Sequence, residues 1–211
     1  MLFPGSHVLL QIVLRTGVIY LLVLIGVRLS GKREVGQMTP FDLTLLLLLS
    51  NSVQNAMTGP DTSLLGGAVA ASTLLVDIVT KVIAVDVLVP GQRVPLIGDH
   101  VSYALTRNAG AAFSWGVAYT IELALVVGVV IAVLAWRSRH VVSPTAAVAT
   151  GLVLGGAAGN LADRVFRAPG PLRGAVVDFL AIGWGPIINA ADICVLVGVA
   201  ILTCRQLADS R

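Results

Sequence analysis

Apolar residues run along this chain in six stretches, at residues 8–27, 41–57, 63–88, 119–136, 144–160 and 187–204, each bounded by polar or turn-forming residues. A membrane-spanning helix needs about 20 predominantly apolar residues, so most of these stretches are long enough to cross a bilayer. The second is the exception. Its apolar run covers only Leu43 to Leu49, and Ser50, Asn51, Ser52, Gln54 and Asn55 follow it. Such groups are costly in hydrocarbon unless protein covers them, so residues 41–57 read either as a span or as a segment that dips in and returns. The pattern predicts an all-α polytopic membrane protein, with about five or six membrane helices.

Two regions interrupt the helical pattern. Residues 90–113 carry the turn signals Pro90-Gly91 and Gly98-Asp99 around the β-prone stretch Val101 to Thr106, which predicts a small extramembrane β element. Residues 161–186 hold four glycines and three prolines, with a strand-like run from Gly174 to Phe179, and read as a structured loop. Both regions fall on one side of the membrane if the fourth and fifth helices each span.

Composition sharpens this picture and excludes others. The 211 residues are 56% hydrophobic and 12% charged, with a mean hydropathy of +0.92, against roughly 25% charged in a soluble domain; five or six spans leave no length for a separate soluble domain. A net charge of +3 could point to nucleic acid, but the 14 Lys and Arg residues are scattered without interleaved aromatics and read as loop charges. The first basic residue, Arg15, lies inside an apolar stretch, so the first segment is expected to stay in place rather than be cleaved as a signal peptide. Cys194 and Cys204, ten residues apart on one predicted helix, are separated by about 15 Å along its axis and cannot pair. His7, His100 and His140 have no ligand-like spacing to other donors, so neither a metal nor another cofactor is assigned.

The candidate chemistry lies in ionisable residues placed within or at the edges of apolar segments: Asp77, Lys81, Asp163, Arg164, Asp178 and Asp192. Each costs roughly 2.5–3.5 kcal/mol at a helix centre on insertion scales, a cost that packing alone never requires. Asp77 and Lys81 stand i,i+4 and can pair on one helix face; the plain alternative is an interfacial pair whose lysine snorkels to the headgroups. Asn160, Asp163 and Arg164 share a helical face just after the small-residue surface Gly155 to Gly159, which permits close helix approach. An arginine fork there suits a carboxylate or a substrate carbonyl. Asn108, followed by the small run Ala109 to Ala112, reads either as a peptide-binding amide or as a tight strand turn.

Asp178 closes the strand-like run, and Asp192 sits early in the last helix with Asn189 before it. Two converging carboxylates cannot both ionise easily, so one keeps its proton while the other stays a base. That is what aspartyl proteolysis requires. A proton-relay pair in an ion- or proton-coupled transporter or channel subunit is the rival reading.

Together these motifs resemble the lipoprotein signal peptidase (signal peptidase II) family over about residues 66–205. The resemblance is carried by Asp77 with Thr80-Lys81, Asn108 with Gly110 to Phe113, Gly155 to Ala157 with Gly159-Asn160 and Asp163-Arg164, Val177-Asp178-Phe179, and Asn189 with Ala191-Asp192. It implies an intramembrane aspartyl endopeptidase that removes signal peptides from diacylglyceryl-modified prolipoproteins. Asp178 and Asp192 match the catalytic pair; Asp77, Lys81, Asn108, Gly110, Asn160, Asp163, Arg164 and Asn189 match positions that support the site or the substrate. Lipid-modified prolipoproteins and membrane lipids are the implied partners, globomycin-type peptides the expected inhibitors, and the bacterial cytoplasmic membrane, with the site facing outward, the implied location. The chain departs from the family pattern at Ile78, Ile188 and Ile193, and only about five residues separate Phe113 from the next span, so the family's usual interfacial helix is shortened.

The N-terminal third resembles instead the membrane region of YetF-like bacterial proteins, through Arg28 to Glu34, Gly36-Gln37, Thr39 to Leu43 and Asn51 to Ala56, running into residues 61–74. The expected organisation is a YetF-like membrane module at residues 1–62 and a peptidase domain at 63–211. An outward-facing site then conflicts with the positive-inside tendency at Arg28, Lys32 and Arg33, unless residues 41–57 re-enter rather than span.

Overall fold

The computed structural model describes residues 61–98, 100–110, 119–183 and 185–210. Among them are four helices, α1 (Asp61–Val87), α2 (Thr120–Ser138), α3 (Pro144–Phe166) and α4 (Ala190–Asp209), each long and apolar enough to cross a membrane. Four strands, β1 (Arg93–Ile97), β2 (Val101–Asn108), β3 (Val176–Ile182) and β4 (Ile187–Ile188), form one antiparallel sheet in the order β1-β2-β3-β4. The expected segments at 8–27 and 41–57, the re-entrant alternative and the YetF-like module lie outside the described residues.

Helix α3 is the hub. Half of its apolar window is buried, against 6% for α2 and 11% for α4, and it packs on all three other helices. Lipid tails are as apolar as leucine, so membrane helices associate through close packing rather than through a hydrophobic drive. The sequence of α3 meets that need with small residues on two faces. Gly151, Gly155 and Gly159, one every four residues, lie against Gly66 and Val69, Ala70 and Thr73, and Asp77 of α1 in turn. Gly156 lies against Ala191 and Val195 of α4, while Gly198 of α4 lies against Ala149 and Val153 of α3.

The two predicted extramembrane regions are one structure. The expected β element is the β1–β2 hairpin, closed at Gly98, whose φ of +50° favours glycine; Pro95 is tolerated because β1 is an edge strand. The region read as a structured loop supplies β3, which pairs with β2 from Val101↔Ile182 to Asn108↔Val176. Between Tyr103↔Leu180 and Thr106↔Asp178 the register slips by one residue, a bulge at Ala104-Leu105. Bulges re-aim neighbouring side chains, and this one stands next to Asp178.

Two helix boundaries differ from expectation. Helix α3 does not stop at Asn160 but continues to Phe166, because Asp163 and Arg164 find buried partners there that keep their charges out of lipid. The last helix does not begin at residue 187. Ile187-Ile188 is a strand, and Asn189 caps the helix in a reciprocal box with Asp192: the Asn189 side chain accepts from the Asp192 N–H and the Asp192 carboxylate accepts from the Asn189 N–H.

Candidate active site

Every polar residue singled out from the sequence falls at the sheet-bearing end of the bundle. Asp77 and Lys81 come from the second half of α1, Asn160, Asp163 and Arg164 from the last two turns of α3, Asp192 from the first turn of α4, Asp178 from β3, Asn108 from the end of β2 and Gly110 from the bend after it.

Lys81 is the centre of this arrangement. Its side chain is fully buried, which rules out the snorkelling interfacial pair. An ammonium has three donors and no acceptor, and here each donor has an oxygen: Asp77 Oδ2 at 2.7 Å, Asn160 Oδ1 at 2.8 Å and Asp163 Oδ2 at 2.9 Å. A buried charge broken from its partners is costly, so these contacts fix α1 against α3. Asp77 Oδ1 reaches further and accepts from the Ala191 N–H at 3.1 Å, an otherwise unsatisfied donor of the first turn of α4. Asp163 Oδ2 also accepts from the Val177 N–H at 3.1 Å, which ties β3 to α3 one residue before Asp178. One lysine and two carboxylates thus join three helices and the sheet.

Two amides connect this base to the carboxylate pair. Asn160 accepts from Lys81 and donates through Nδ2 to Asp192 Oδ1 at 2.8 Å. Asn189 donates through Nδ2 to Asp178 Oδ1 at 2.7 Å and to Asn160 Oδ1 at 3.1 Å. The sequence expectation that the segment between Asp178 and Asp192 folds back is met, and Asn189 is the bridge. Asp178 is 2% exposed, and burial first, then the nearby Asp192 charge, push its pKa up to about 6; hydrogen bonds from Asn189 and Asn108 and the Lys81 charge pull the other way. Asp192 is half-exposed.

Arg164 does something other than clamp a carboxylate or substrate carbonyl. Its fork donates to the backbone carbonyls of Ala109 at 3.1 Å and Gly110 at 2.5 Å, while Asn108 Oδ1 accepts from the Gly110 N–H at 3.0 Å. The Asn108–Gly110 turn is therefore both a tight strand turn and the means of holding the Asn108 amide at Asp178. Arg164→Ala should lower the unfolding temperature by loosening this turn. A lysine there should restore little, lacking the planar fork; unchanged unfolding temperatures in both variants contradict this role.

Two contributors escaped the sequence reading. Arg167 pairs with Asp163 Oδ1, and its i,i+4 spacing was the available signal. Gly174 donates to the Arg164 carbonyl at 2.8 Å, and a Cβ there would meet the carbonyls of Asp163, Arg164 and Arg167. Its glycine identity was visible, but its contact with a helix end was not. Cys194 and Cys204 are free thiols, and no cluster of three metal-ligating side chains occurs among the described residues.

Two solved bacterial membrane enzyme structures resemble this helix bundle and sheet, one with a TM-score of 0.61 at 25% identity, covering 69% of this chain and 88% of that one, the other with 0.58 at 26%, covering 68% and 93%. The family model for Signal peptidase (SPase) II matches residues 69–208, and the chain belongs to that family. Among relatives described as lipoprotein signal peptidase, that of Mycobacterium avium is 56% identical over 135 residues, 64% of this chain and 74% of the relative. That of Mycolicibacterium smegmatis is 54% identical over 140 residues, 66% and 59%, and that of Mycobacterium tuberculosis H37Rv 53% over 135 residues, 64% and 67%. The segment resembling YetF-like proteins lies almost wholly before the matched residues, and these matches lend it no support.

Proposed function

We propose that this chain is an intramembrane aspartyl peptidase that removes signal peptides from diacylglyceryl-modified prolipoproteins. The observation that carries the reading is the convergence of Asp178 and Asp192, linked through Asn189 and Asn160, where the helices meet the sheet. Family membership supports the peptidase over the transporter reading. A site at the edge of the bilayer suits a substrate whose acyl chains stay in lipid while its scissile bond meets water.

The buried Asp178 is the proton holder and Asp192 the base. Asp192 takes a proton from a water molecule, whose oxygen attacks the scissile carbonyl carbon while Asp178 gives its proton to the carbonyl oxygen. The resulting gem-diol collapses as a hydroxyl proton returns to Asp178. Asp192 then passes its proton to the departing amine, and the C–N bond breaks. Both carboxyl groups end as they began.

Purified full-length protein in detergent, given a diacylglyceryl-modified prolipoprotein, should release its signal peptide and leave the unmodified precursor uncut. Equal cutting of both, or of neither, overturns the reading. Globomycin-type peptides are expected to block release.

The pH dependence follows from Asp178. Its proton is lost as pH rises through about 6, so the alkaline limb of kcat/KM in the free enzyme should begin near that value. Its pKa is raised on folding, so the native state binds the proton more tightly and stability should fall between about pH 4 and pH 6. A profile flat from pH 5 to 8 contradicts the assignment.

The division into an N-terminal module and a peptidase domain predicts that deletion of residues 1–61 leaves measurable cleavage, since every site residue lies beyond that point. A truncated chain that inserts stably and cuts nothing would place the module within the working site. The proposed location is the bacterial cytoplasmic membrane, with the sheet and site on the outer side and the cluster Arg137, Arg139 and Arg205 inside, in keeping with the positive-inside tendency.

A further inference from the structure

We propose that Lys81 is a positioning residue that orients the amide of Asn160 and thereby makes Asp192 the carboxylate that takes the proton from water. This rests on the aspartyl reading above. An asparagine amide can face either way, its oxygen accepting and its nitrogen donating. Nothing in Asn160 itself selects one orientation. Lys81 does, because an ammonium offers only donors: with its nitrogen 2.8 Å from Asn160 Oδ1, a flipped amide would set N–H groups against N–H groups. Asn189 adds a second donor to the same oxygen at 3.1 Å.

The orientation fixes what Asp192 receives. With its oxygen held toward Lys81, Asn160 must turn its NH2 to Asp192 Oδ1, at 2.8 Å, and the Asn189 N–H supplies Oδ2 at 3.1 Å. Both oxygens of Asp192 accept N–H donors in the first turn of a helix, where the macrodipole also favours negative charge. That is the environment of a carboxylate, and a proton on it would face a donor on either side. Asp178 has no helix terminus behind it and is nearly fully buried. Lys81 is anchored independently of Asn160 by Asp77 and Asp163, so its direction does not depend on the amide it orients.

The other charged groups packed around Lys81 and Asp192 are Asp77 on α1, Asp163, Arg164 and the Asp163 partner Arg167 on α3, and Asp178 on β3. Removing Lys81 alone therefore changes the field as well as the amide. A charge-balanced replacement, Asp77→Asn with Lys81→Met, separates the two effects and is compared with Asn160→Ala and with all three substitutions combined.

For Asn160→Ala and for the balanced pair alike, kcat should fall about 100-fold with KM within about twofold. The combined variant should be no slower than Asn160→Ala, since Lys81 acts through that amide. A wild-type kcat in Asn160→Ala overturns the proposal, as does a combined loss equal to the product of the separate losses. If the Lys81 variants fail to insert, the kcat and KM of Asn160→Ala decide alone. Failure of the aspartyl reading would look different, with Asp178→Asn or Asp192→Asn still cleaving.

Discussion

Asp178→Asn and Asp192→Asn should each reduce signal-peptide release by roughly 1,000-fold or more while leaving the protein inserted and folded. The amide preserves volume, so the bundle keeps its shape, but it can neither accept the proton of water nor hand one to a carbonyl. The local hydrogen bonds explain why each loss is severe. At position 178 the Asn189 amide already donates to Oδ1 at 2.7 Å, so a new amide must present its oxygen there. At position 192 one oxygen takes the Asn160 amide and the other the Asn189 N–H, and a new NH2 would oppose one of those donors. The measurement is single-turnover cleavage of a diacylglyceryl-modified prolipoprotein, beside a thermal unfolding curve. A variant that unfolds normally and cuts at half the wild-type rate removes that residue from the chemistry.

Gly159→Ala is also expected to have a large effect, although glycine carries no chemistry. A Cβ at this position falls on Asp77, 2.9 Å from its Cγ and 3.3 Å from its Cβ, with Oδ2 closer still. Asp77 has nowhere to move: Oδ2 is held by Lys81 at 2.7 Å and Oδ1 by the Ala191 N–H at 3.1 Å. Helix α3 must then retreat from α1, or Asp77 must release Lys81 and the start of α4 together. Overpacking of this kind costs about 1–3 kcal/mol, and the displaced ammonium would disturb Asn160 and so the pair. Cleavage should fall roughly 10- to 100-fold with a lowered unfolding temperature. Gly128→Ala in α2 is the matched comparison, since its Cβ would find only Leu161 Cδ2 at 3.9 Å. It should leave both quantities unchanged, and a similar loss in both variants would mean that helix composition, not the Asp77 contact, is responsible.

How much of this was legible in the residues varies with the range of the interaction. Membrane character and the helices from residue 61 onward follow from apolar length, a property each segment carries by itself. The i,i+4 pair of Asp77 and Lys81 and the face shared by Asn160, Asp163 and Arg164 follow from helical periodicity, which is also local. The order of motifs along the chain was enough to name a family and its acidic pair. Each of these rests on spacing within about one or two helical turns, or on motif order.

Tertiary structure decided the rest. No periodicity could say that β3 joins the hairpin formed some 70 residues earlier, because strand pairing depends on which segments the helices bring side by side, and the region read as a loop supplies an inner strand of the sheet for that reason. Nor could spacing tell a snorkelling lysine from a buried one. Lys81 differs from an interfacial lysine only through Asp163 and Asn160, which stand 82 and 79 residues away and reach it because Gly151, Gly155 and Gly159 let α3 close on α1. The role of Arg164 changed for the same reason: a fork that suits any carboxylate found two backbone carbonyls first. Sequence determined which groups are costly to bury, whereas the choice of partner for each depended on helix contacts made across the fold.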